Sequence, residues 1–325
     1  MSENKTCLVT GIGGQDGSYL AEHLLNLGYE VHGMLRRNST PEHQSTRLEL
    51  IEHKLHLYYG DVTDPLSCNS IMAEVMPDEV YNLAGQSHVR ISSDVPHFTA
   101  QTNAIGALNM IEAVRTIAPH ARYYFSASSE MFGQEIDDDG FQRITTRMRP
   151  VSPYGCAKLY GFNITRHYRE AYGLHCSNGV LFNHESPRRA SNFVTAKIVK
   201  AAVRILRGAE NHVVLGNLDS QRDWGDSRDY VRAMHMMLQA DEPGDWVVAT
   251  GQTRSVRDLC KCVFEWLELG DYQQYVLQDK RYMRPNELHL LRGDSTPMRE
   301  QFGWKPDWTF EQTISSIIQH YEQWR

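Results

Sequence analysis

Two residues four apart, Tyr154 and Lys158, sit in the run Ser152-Pro153-Tyr154-Gly155-Cys156-Ala157-Lys158. On a helix that spacing places both side chains on one face, one above the other. A phenol near its reference pKa of about 10 is a poor base at neutral pH. A neighbouring ammonium favours the phenolate, so the pair could act as a proton acceptor. Upstream, the apolar run 121–127 delivers Ser128 and Glu130. A hydroxyl and a base suffice to oxidise an alcohol. The added carboxylate, Glu130, points to a second proton transfer beside the carbonyl that oxidation creates, although a capping residue would look the same in sequence.

Such chemistry needs a hydride carrier, and the first half of the chain reads as the site for one. Thr6–Thr10 has the pattern of a buried strand. It is followed by Gly11-Ile12-Gly13-Gly14-Gln15-Asp16-Gly17 and then by apolar residues at helical spacing. Gly11, Gly14 and Gly17 between a strand and a helix allow a tight turn and close approach of a pyrophosphate to the helix N-terminus, with Gln15 and Asp16 on the same turn. A second strand, 29–35, ends in Arg36-Arg37. An acidic residue there would favour NAD, whereas arginine accommodates a 2′-phosphate, so Arg36 predicts NADP; the alternative is a solvated charge pair. A third strand, 55–59, leads to Gly60-Asp61-Val62, where Asp61 either accepts from an adenine amino group or serves the turn. A fourth, 79–83, runs into the small residues Leu83, Ala84, Gly85, Gln86 and Ser87. Residues 98–117 carry an amphipathic helical pattern. This alternation predicts an α/β fold with a parallel sheet covered on both faces, the candidate residues falling at the strands' carboxyl ends where ligands bind.

Composition limits the alternatives. The 325 residues carry a formal net charge of −7, so no global attraction to nucleic acid or anionic membrane is expected. No apolar run approaches the ~20 residues of a membrane span, and the N-terminal residues lack a signal-peptide pattern. The six cysteines are scattered, which predicts reduced thiols and a cytoplasmic enzyme. The fifteen histidines show no metal-ligand spacing in sequence, and no metal is expected.

In the second half, Pro153–Tyr172 is the helix expected to carry the Tyr–Lys pair, and 175–182 a strand returning to the sheet. Helices are expected at 193–207, 229–240, 256–269, 295–302 and 310–324, with strands at Val213–Leu215 and 246–249. Arg222 and Arg284 suit a diphosphate through bidentate guanidinium contacts, and Glu287 a ribose hydroxyl pair; surface ion pairs are the alternative for both arginines.

These motifs together resemble the GDP-mannose 4,6-dehydratases of the extended short-chain dehydrogenase/reductase superfamily. The resemblance runs close to full length. It rests on Thr10 through Leu20, on Tyr81-Asn82-Leu83-Ala84-Gly85-Gln86-Ser87-His88-Val89, and on Ser152-Pro153-Tyr154-Gly155. Its most specific pieces are Leu181-Phe182-Asn183-His184-Glu185-Ser186-Pro187-Arg188-Arg189, Leu215-Gly216-Asn217-Leu218-Asp219, Arg222-Asp223-Trp224-Gly225 and Arg284-Pro285-Asn286-Glu287. It implies a Rossmann-type doubly wound parallel sheet, mainly residues 1–180, with a smaller mixed α/β C-terminal substrate-binding region, mainly 181–325, the chain crossing between them more than once. It implies that Tyr154 takes the proton of the sugar 4-hydroxyl as hydride leaves for NADP, with Ser128 bound to the same oxygen. Glu130 then removes the carbon-5 hydrogen, water leaves carbon 6, and the hydride returns there. Lys158, His184 and Arg189 join Leu83 to Ser87 as cofactor contacts, and Asn183 and Lys197 as contacts of the GDP-sugar, which Ser87 also faces. Homodimers or homotetramers are implied, with the loop after Arg37 near a neighbouring subunit. Ser128 stands where the family usually has threonine, and Gly85 where it has alanine. Residues 134–151 depart from its pattern, which leaves another GDP-linked sugar, such as a heptose, as an alternative. A GDP-sugar reductase or epimerase, and a catalytically silent NADP-binding sensor, are the other readings.

Overall fold

The structure is a computed structural model and describes residues 5–37, 47–283 and 286–323. The first half alternates strands and helices: β1 (Thr6–Thr10), α1 (Gln15–Asn26), β2 (Glu30–Leu35), β3 (His56–Tyr59), α2 (Pro65–Val75), β4 (Glu79–Asn82), α3 (Val89–Asp94), α4 (Pro96–Ala100), α5 (Gly106–Ile117), β5 (Arg122–Ser128), α6 (Pro153–Tyr172) and β6 (Cys176–Leu181). The second half adds β7 (Asn183–Glu185), α7 (Val194–Leu206), β8 (Val213–Leu215), β9 (Gln221–Asp226), α8 (Ser227–Gln239), β10 (Asp245–Val248), β11 (Thr253–Ser255), α9 (Val256–Trp266), β12 (Val276–Gln278), β13 (Leu290–Leu291), α10 (Thr296–Phe302) and α11 (Phe310–Gln323).

Seven of these strands form one sheet in the order β10-β6-β5-β4-β1-β2-β3, parallel throughout. Strands buried on both faces must be apolar nearly throughout, and β1 is buried along Cys7, Leu8, Val9 and Thr10. One face is covered by α2, α5 and α6, through residues such as Ile71, Met110, Val114 and Phe162. The other is covered by α1, α8 and α10, through Leu20, Leu24, Val231, Met234 and Met298. This is a Rossmann-type doubly wound sheet. The strand order reverses between β1 and β4, and ligands bind beside such a switch at the carboxyl ends.

A smaller region of mixed sheet lies beyond β6. There β9 pairs with β7 and β13 in parallel and with β11 antiparallel, and β8 pairs with β12. Its core is a third apolar cluster, with Ile198, Val203, Leu259, Val263 and Ile317. Three later elements return to the first region: β10 extends the seven-stranded sheet, α8 packs on α1, and α10 packs on β10.

The helical pattern over 98–117 is interrupted. Between α4 and α5 the residues Gln101–Ile105 form a π-helical turn. Strand β9 and helices α2 and α3 are elements that the apolar pattern alone does not announce.

Candidate active site

Local sequence explains how α6 reaches its place. Ser152 caps it, the Oγ accepting from the Gly155 amide at 3.0 Å, and Pro153 fills the first turn. Gly155 and Gly161 then allow close contact. A Cβ on Gly155 would lie 2.7 Å from the Glu130 carbonyl, and one on Gly161 would lie 2.2 Å from the Phe125 ring of β5. The helix therefore lies flush against β5, and Tyr154 and Lys158 face the end of that strand. Lys158 donates to the Ser126 carbonyl at 2.6 Å. The Ser128 Oγ accepts from the Glu130 amide at 3.3 Å, capping the short turn that holds Glu130. Ser128, Glu130, Tyr154 and Lys158 are all buried and line one cleft of about 320 Å³.

The electrostatics of the pair differ from the expectation. Burial pushes the Tyr154 phenol up to about 12; a hydrogen bond with Ser128 pulls it down and the Glu130 charge raises it further. Burial lowers Lys158 to about 8, with Asp16 opposing. The Lys158 nitrogen is 5.9 Å from the Tyr154 ring centre and bonded to a carbonyl. Its ammonium alone therefore does not make Tyr154 a phenolate at neutral pH.

The glycine turn is built tightly. Gly11 has φ +66°, and a Cβ there would meet the Ala84 nitrogen at 2.9 Å. Gly17 packs the helix onto the turn, with a Cβ position 2.3 Å from the Gly11 carbonyl. Gly14 occupies the N-cap of α1 and offers no side-chain cap, so the first amides of the helix suit an anion. Thr10 ties the turn to the next strand: its Oγ1 accepts from the Leu83 and Ala84 amides at 3.1 and 3.0 Å. Asp16, Leu83, Gly85, Gln86 and Ser87 line the same cleft as Tyr154.

Asp16 and Gln15 also join the glycine turn to the second half of the chain. His184 approaches Asp16 Oδ2 through Nε2 at 2.8 Å and the Phe182 carbonyl through Nδ1 at 2.8 Å. Both ring nitrogens face acceptors, as in an imidazolium. Burial disfavours that charge, yet Asp16 outweighs it and raises the His184 pKa. Burial likewise opposes the Asp16 charge, and His184 outweighs it, holding the carboxyl below its usual range. Gln15 donates to the His184 carbonyl at 3.2 Å and accepts from Ser186 at 2.8 Å.

On the far wall of the cleft are Asn183, His184, Arg189 and Lys197. Arg189 lies 3.7 Å above the Phe193 ring and 3.3 Å from the buried Glu185. Lys197 donates to the Val214 carbonyl at 2.7 Å and lies 4.0 Å from the centre of the Tyr282 ring. Other predicted residues lie outside the lining. Arg222, 5% exposed, donates to the Gln221 and Leu288 carbonyls and approaches Glu287 at 3.4 Å. Arg36 is exposed at the end of β2, with its guanidinium 5.7 Å from the Phe98 ring centre. The Asp61 Oδ1 accepts from the Thr63 amide and hydroxyl, a turn contact. Val62 is buried in the core and its carbonyl accepts from Asn109. Arg284 and the loop directly after Arg37 lie outside the described residues.

Residues 134–151 do not enter the cleft lining among the described residues. They pack beside it: Ile144, Met148 and Val151 lie against the core, Gln142 is fully buried and exchanges hydrogen bonds with Arg292 and Asp294, and Arg143 joins Asp137, Asp139 and Asp294.

Asn103 and Arg47, which brace the site from outside the cleft lining, are among the residues that escaped the sequence reading. Asn103, in the π-helical turn, accepts from the Gln86 amide and donates to the Gln86 carbonyl, both at 2.8 Å, clamping the loop after β4. Arg47 donates to the Gly13 and Arg188 carbonyls. A π turn leaves no mark on apolar spacing, and Arg47 lies far from any motif.

The family model described as GDP-mannose 4,6 dehydratase matches residues 8–317. The chain belongs to the GDP-mannose 4,6-dehydratase family. Family relatives include the GDP-mannose 4,6-dehydratase of Sinorhizobium fredii, 46% identical over 94% of this chain and 93% of that one. The Homo sapiens GDP-mannose 4,6 dehydratase is 43% identical over 96% of this chain and 90% of its own length. Among solved structures, a dTDP-glucose 4,6-dehydratase of Streptomyces venezuelae, with NAD and TYD bound, superposes with a TM-score of 0.86 at 20% identity and 98% coverage of both chains. RMD from Pseudomonas aeruginosa, complexed with NADPH, gives 0.80 at 23% identity, covering 98% of this chain and 99% of that one. At that identity the likeness concerns the fold alone.

Proposed function

We propose that the protein converts GDP-mannose to GDP-4-keto-6-deoxymannose with NADP as a borrowed hydride carrier. The observation that carries this reading is Glu130 sharing a buried cleft with Ser128, Tyr154 and Lys158. A reductase or epimerase has no need of a carboxylate there; a dehydratase does.

The residues present suit the dinucleotide. The uncapped amides of α1 and the glycine turn would hold its pyrophosphate. The orphaned Gln86 Oε1, in a residue that lines the cleft, offers a polar partner, Arg189 paired with Glu185 lies on the same wall, and Arg36 at the end of β2 favours a 2′-phosphate. Asp61 and Val62 are assigned to the adenosine end, Leu83 to Ser87, Lys158, His184 and Arg189 to the nicotinamide half. When bound, NADP supplies a hydride acceptor and then a donor and, in its oxidised form, a positive charge that draws the Tyr154 pKa down.

The protein's own groups do the rest. Tyr154 accepts the proton of the sugar 4-hydroxyl while Ser128 holds that oxygen. The carbonyl so formed acidifies the hydrogen on carbon 5, and Glu130 removes it and returns a proton to the departing 6-hydroxyl as water leaves; as carbon 6 regains the hydride, carbon 5 takes the proton that Tyr154 accepted, which restores the starting state. Asn183 and Lys197, with Arg222, Arg284 and Glu287, are assigned to the GDP-sugar. The Arg222–Glu287 pair would have to open or bind as a unit. We assign residues 1–180 mainly to the cofactor and 181–325 mainly to the sugar nucleotide, and place the enzyme in the cytoplasm as a homo-oligomer. Among the described residues no helix is long and apolar enough to cross a membrane.

The test is turnover without added cofactor. The purified protein is incubated with GDP-mannose and the sugar nucleotide is followed by mass spectrometry. Loss of one water without net accumulation of reduced cofactor is the expected result. Silence with GDP-mannose even after NADP is supplied overturns the proposal.

A further inference from the structure

Far from the cleft, at the amino ends of β2 and β3, three side chains converge. Glu30 and His32 lie two apart on β2 and so point to one face, and His56 is the parallel register partner of His32 on β3. Glu30 Oε1 lies 3.2 Å from His32 Nε2 and 3.4 Å from His56 Nε2, and all three ligand atoms fall within 4.8 Å of one another. A tetrahedral zinc ion with bonds of about 2.0–2.1 Å sets its ligands about 3.3 Å apart, which matches both measured edges. The outer groups fit as well. His32 Nδ1 lies 3.2 Å from the Tyr58 hydroxyl, and Tyr58 is in turn hydrogen-bonded to Glu74. Such a chain directs the Nδ1 proton towards Tyr58 and leaves Nε2 free for a metal, the usual support of a ligating histidine.

We propose that Glu30, His32 and His56 form a binding site for one divalent ion of the zinc class, held by two imidazoles and a carboxylate with an open position for water. The donor set selects borderline ions over calcium or magnesium, which prefer all-oxygen shells. The two rings are stacked, 4.7 Å apart with planes at 19°, so closing the third edge takes a rotation of His56. Its side chain is 56% exposed, so it has room to turn. A bound ion would staple β3, the outermost strand of the sheet, to β2. The ion serves the fold and takes no part in the reaction, whose groups lie at the opposite ends of the strands.

The experiment is a titration of chelator-treated protein with Co²⁺, read by the visible absorption of near-tetrahedral cobalt, alongside melting curves with and without Zn²⁺. One equivalent of Co²⁺ should bind, and Zn²⁺ should displace it and raise the melting temperature. His56→Ala and Glu30→Gln alter half-exposed side chains and keep the fold. Each should weaken Co²⁺ binding at least about tenfold, abolish the Zn²⁺ shift and leave turnover of the sugar nucleotide unchanged. Absence of a cobalt spectrum, or one that persists unweakened in both variants, overturns the proposal.

Discussion

Replacing Glu130 with Gln should separate the two halves of the reaction. The change is isosteric. Glu130 is 6% exposed, its amide is held by Ser128 and its carbonyl packs against Gly155, and all of these contacts survive in the amide. The fold should therefore be kept, with a stability change no larger than the ordinary ~1 kcal/mol of a point substitution. What disappears is the base that removes the carbon-5 proton. A positioned base contributes about 10²–10⁴ in rate, or about 2.7–5.5 kcal/mol of barrier. Tyr154, Lys158 and Ser128 remain, so hydride should still leave carbon 4. In a single-turnover mixture the near-ultraviolet band of reduced nicotinamide should rise and persist, while mass spectrometry finds no loss of water. Dehydration by Glu130→Gln at the wild-type rate would falsify the role given to this carboxylate.

Three further outcomes follow from the geometry. Asp16→Asn removes the counter-charge of buried His184, at a cost of about 3 kcal/mol. The raised His184 pKa gives stability that is present below its ordinary value and fades as pH rises through the raised one; the lowered Asp16 pKa gives stability present above 3.8 and lost as pH falls through the lowered value. The gap in melting temperature between wild type and variant should thus be widest near pH 5 to 6 and close at alkaline pH, and a gap independent of pH would refute the pairing. Gly161→Ala sets a methyl 2.2 Å from the Phe125 ring and should lower stability by about 1–3 kcal/mol in chemical denaturation, despite the better helix propensity of alanine. Asn103→Ala frees both backbone groups of Gln86, and calorimetry should show nicotinamide dinucleotide binding weakened about tenfold, with unchanged affinity counting against the clamp.

Most of the doubly wound sheet was legible because its strands are short apolar runs and its helices are amphipathic. Tyr154 and Lys158 stood out by their spacing, and Ser128 and Glu130 by their place after an apolar run; the structure brings the four into one cleft. Strand β9 was not, since Arg222, Asp223 and Asp226 are buried in it and break any alternation. Asp223 accepts from Thr250 and Gly251, distant in sequence, and Asp226 from its near neighbour Arg228 and the distant Thr313. Helix α2 did carry a signal, Asp64 as N-cap followed by Pro65, that reading for apolar strands passes over. The Tyr154 pKa was misjudged because spacing reveals neither burial nor the Ser126 carbonyl that takes the Lys158 ammonium.

The seventh strand of the sheet also sets the order in which the chain can fold. Strand β6 presents an unpaired edge until β10 emerges from the ribosome, and the apolar face of α1 waits for α8. Through that interval the nascent chain shows an unpaired strand edge and an uncovered apolar helix face of the kind that associate with other chains. A truncation ending after β6 would keep every residue proposed for proton transfer and still be prone to aggregate. Cotranslational folding of this protein is therefore completed late, by segments that contribute nothing to the chemistry.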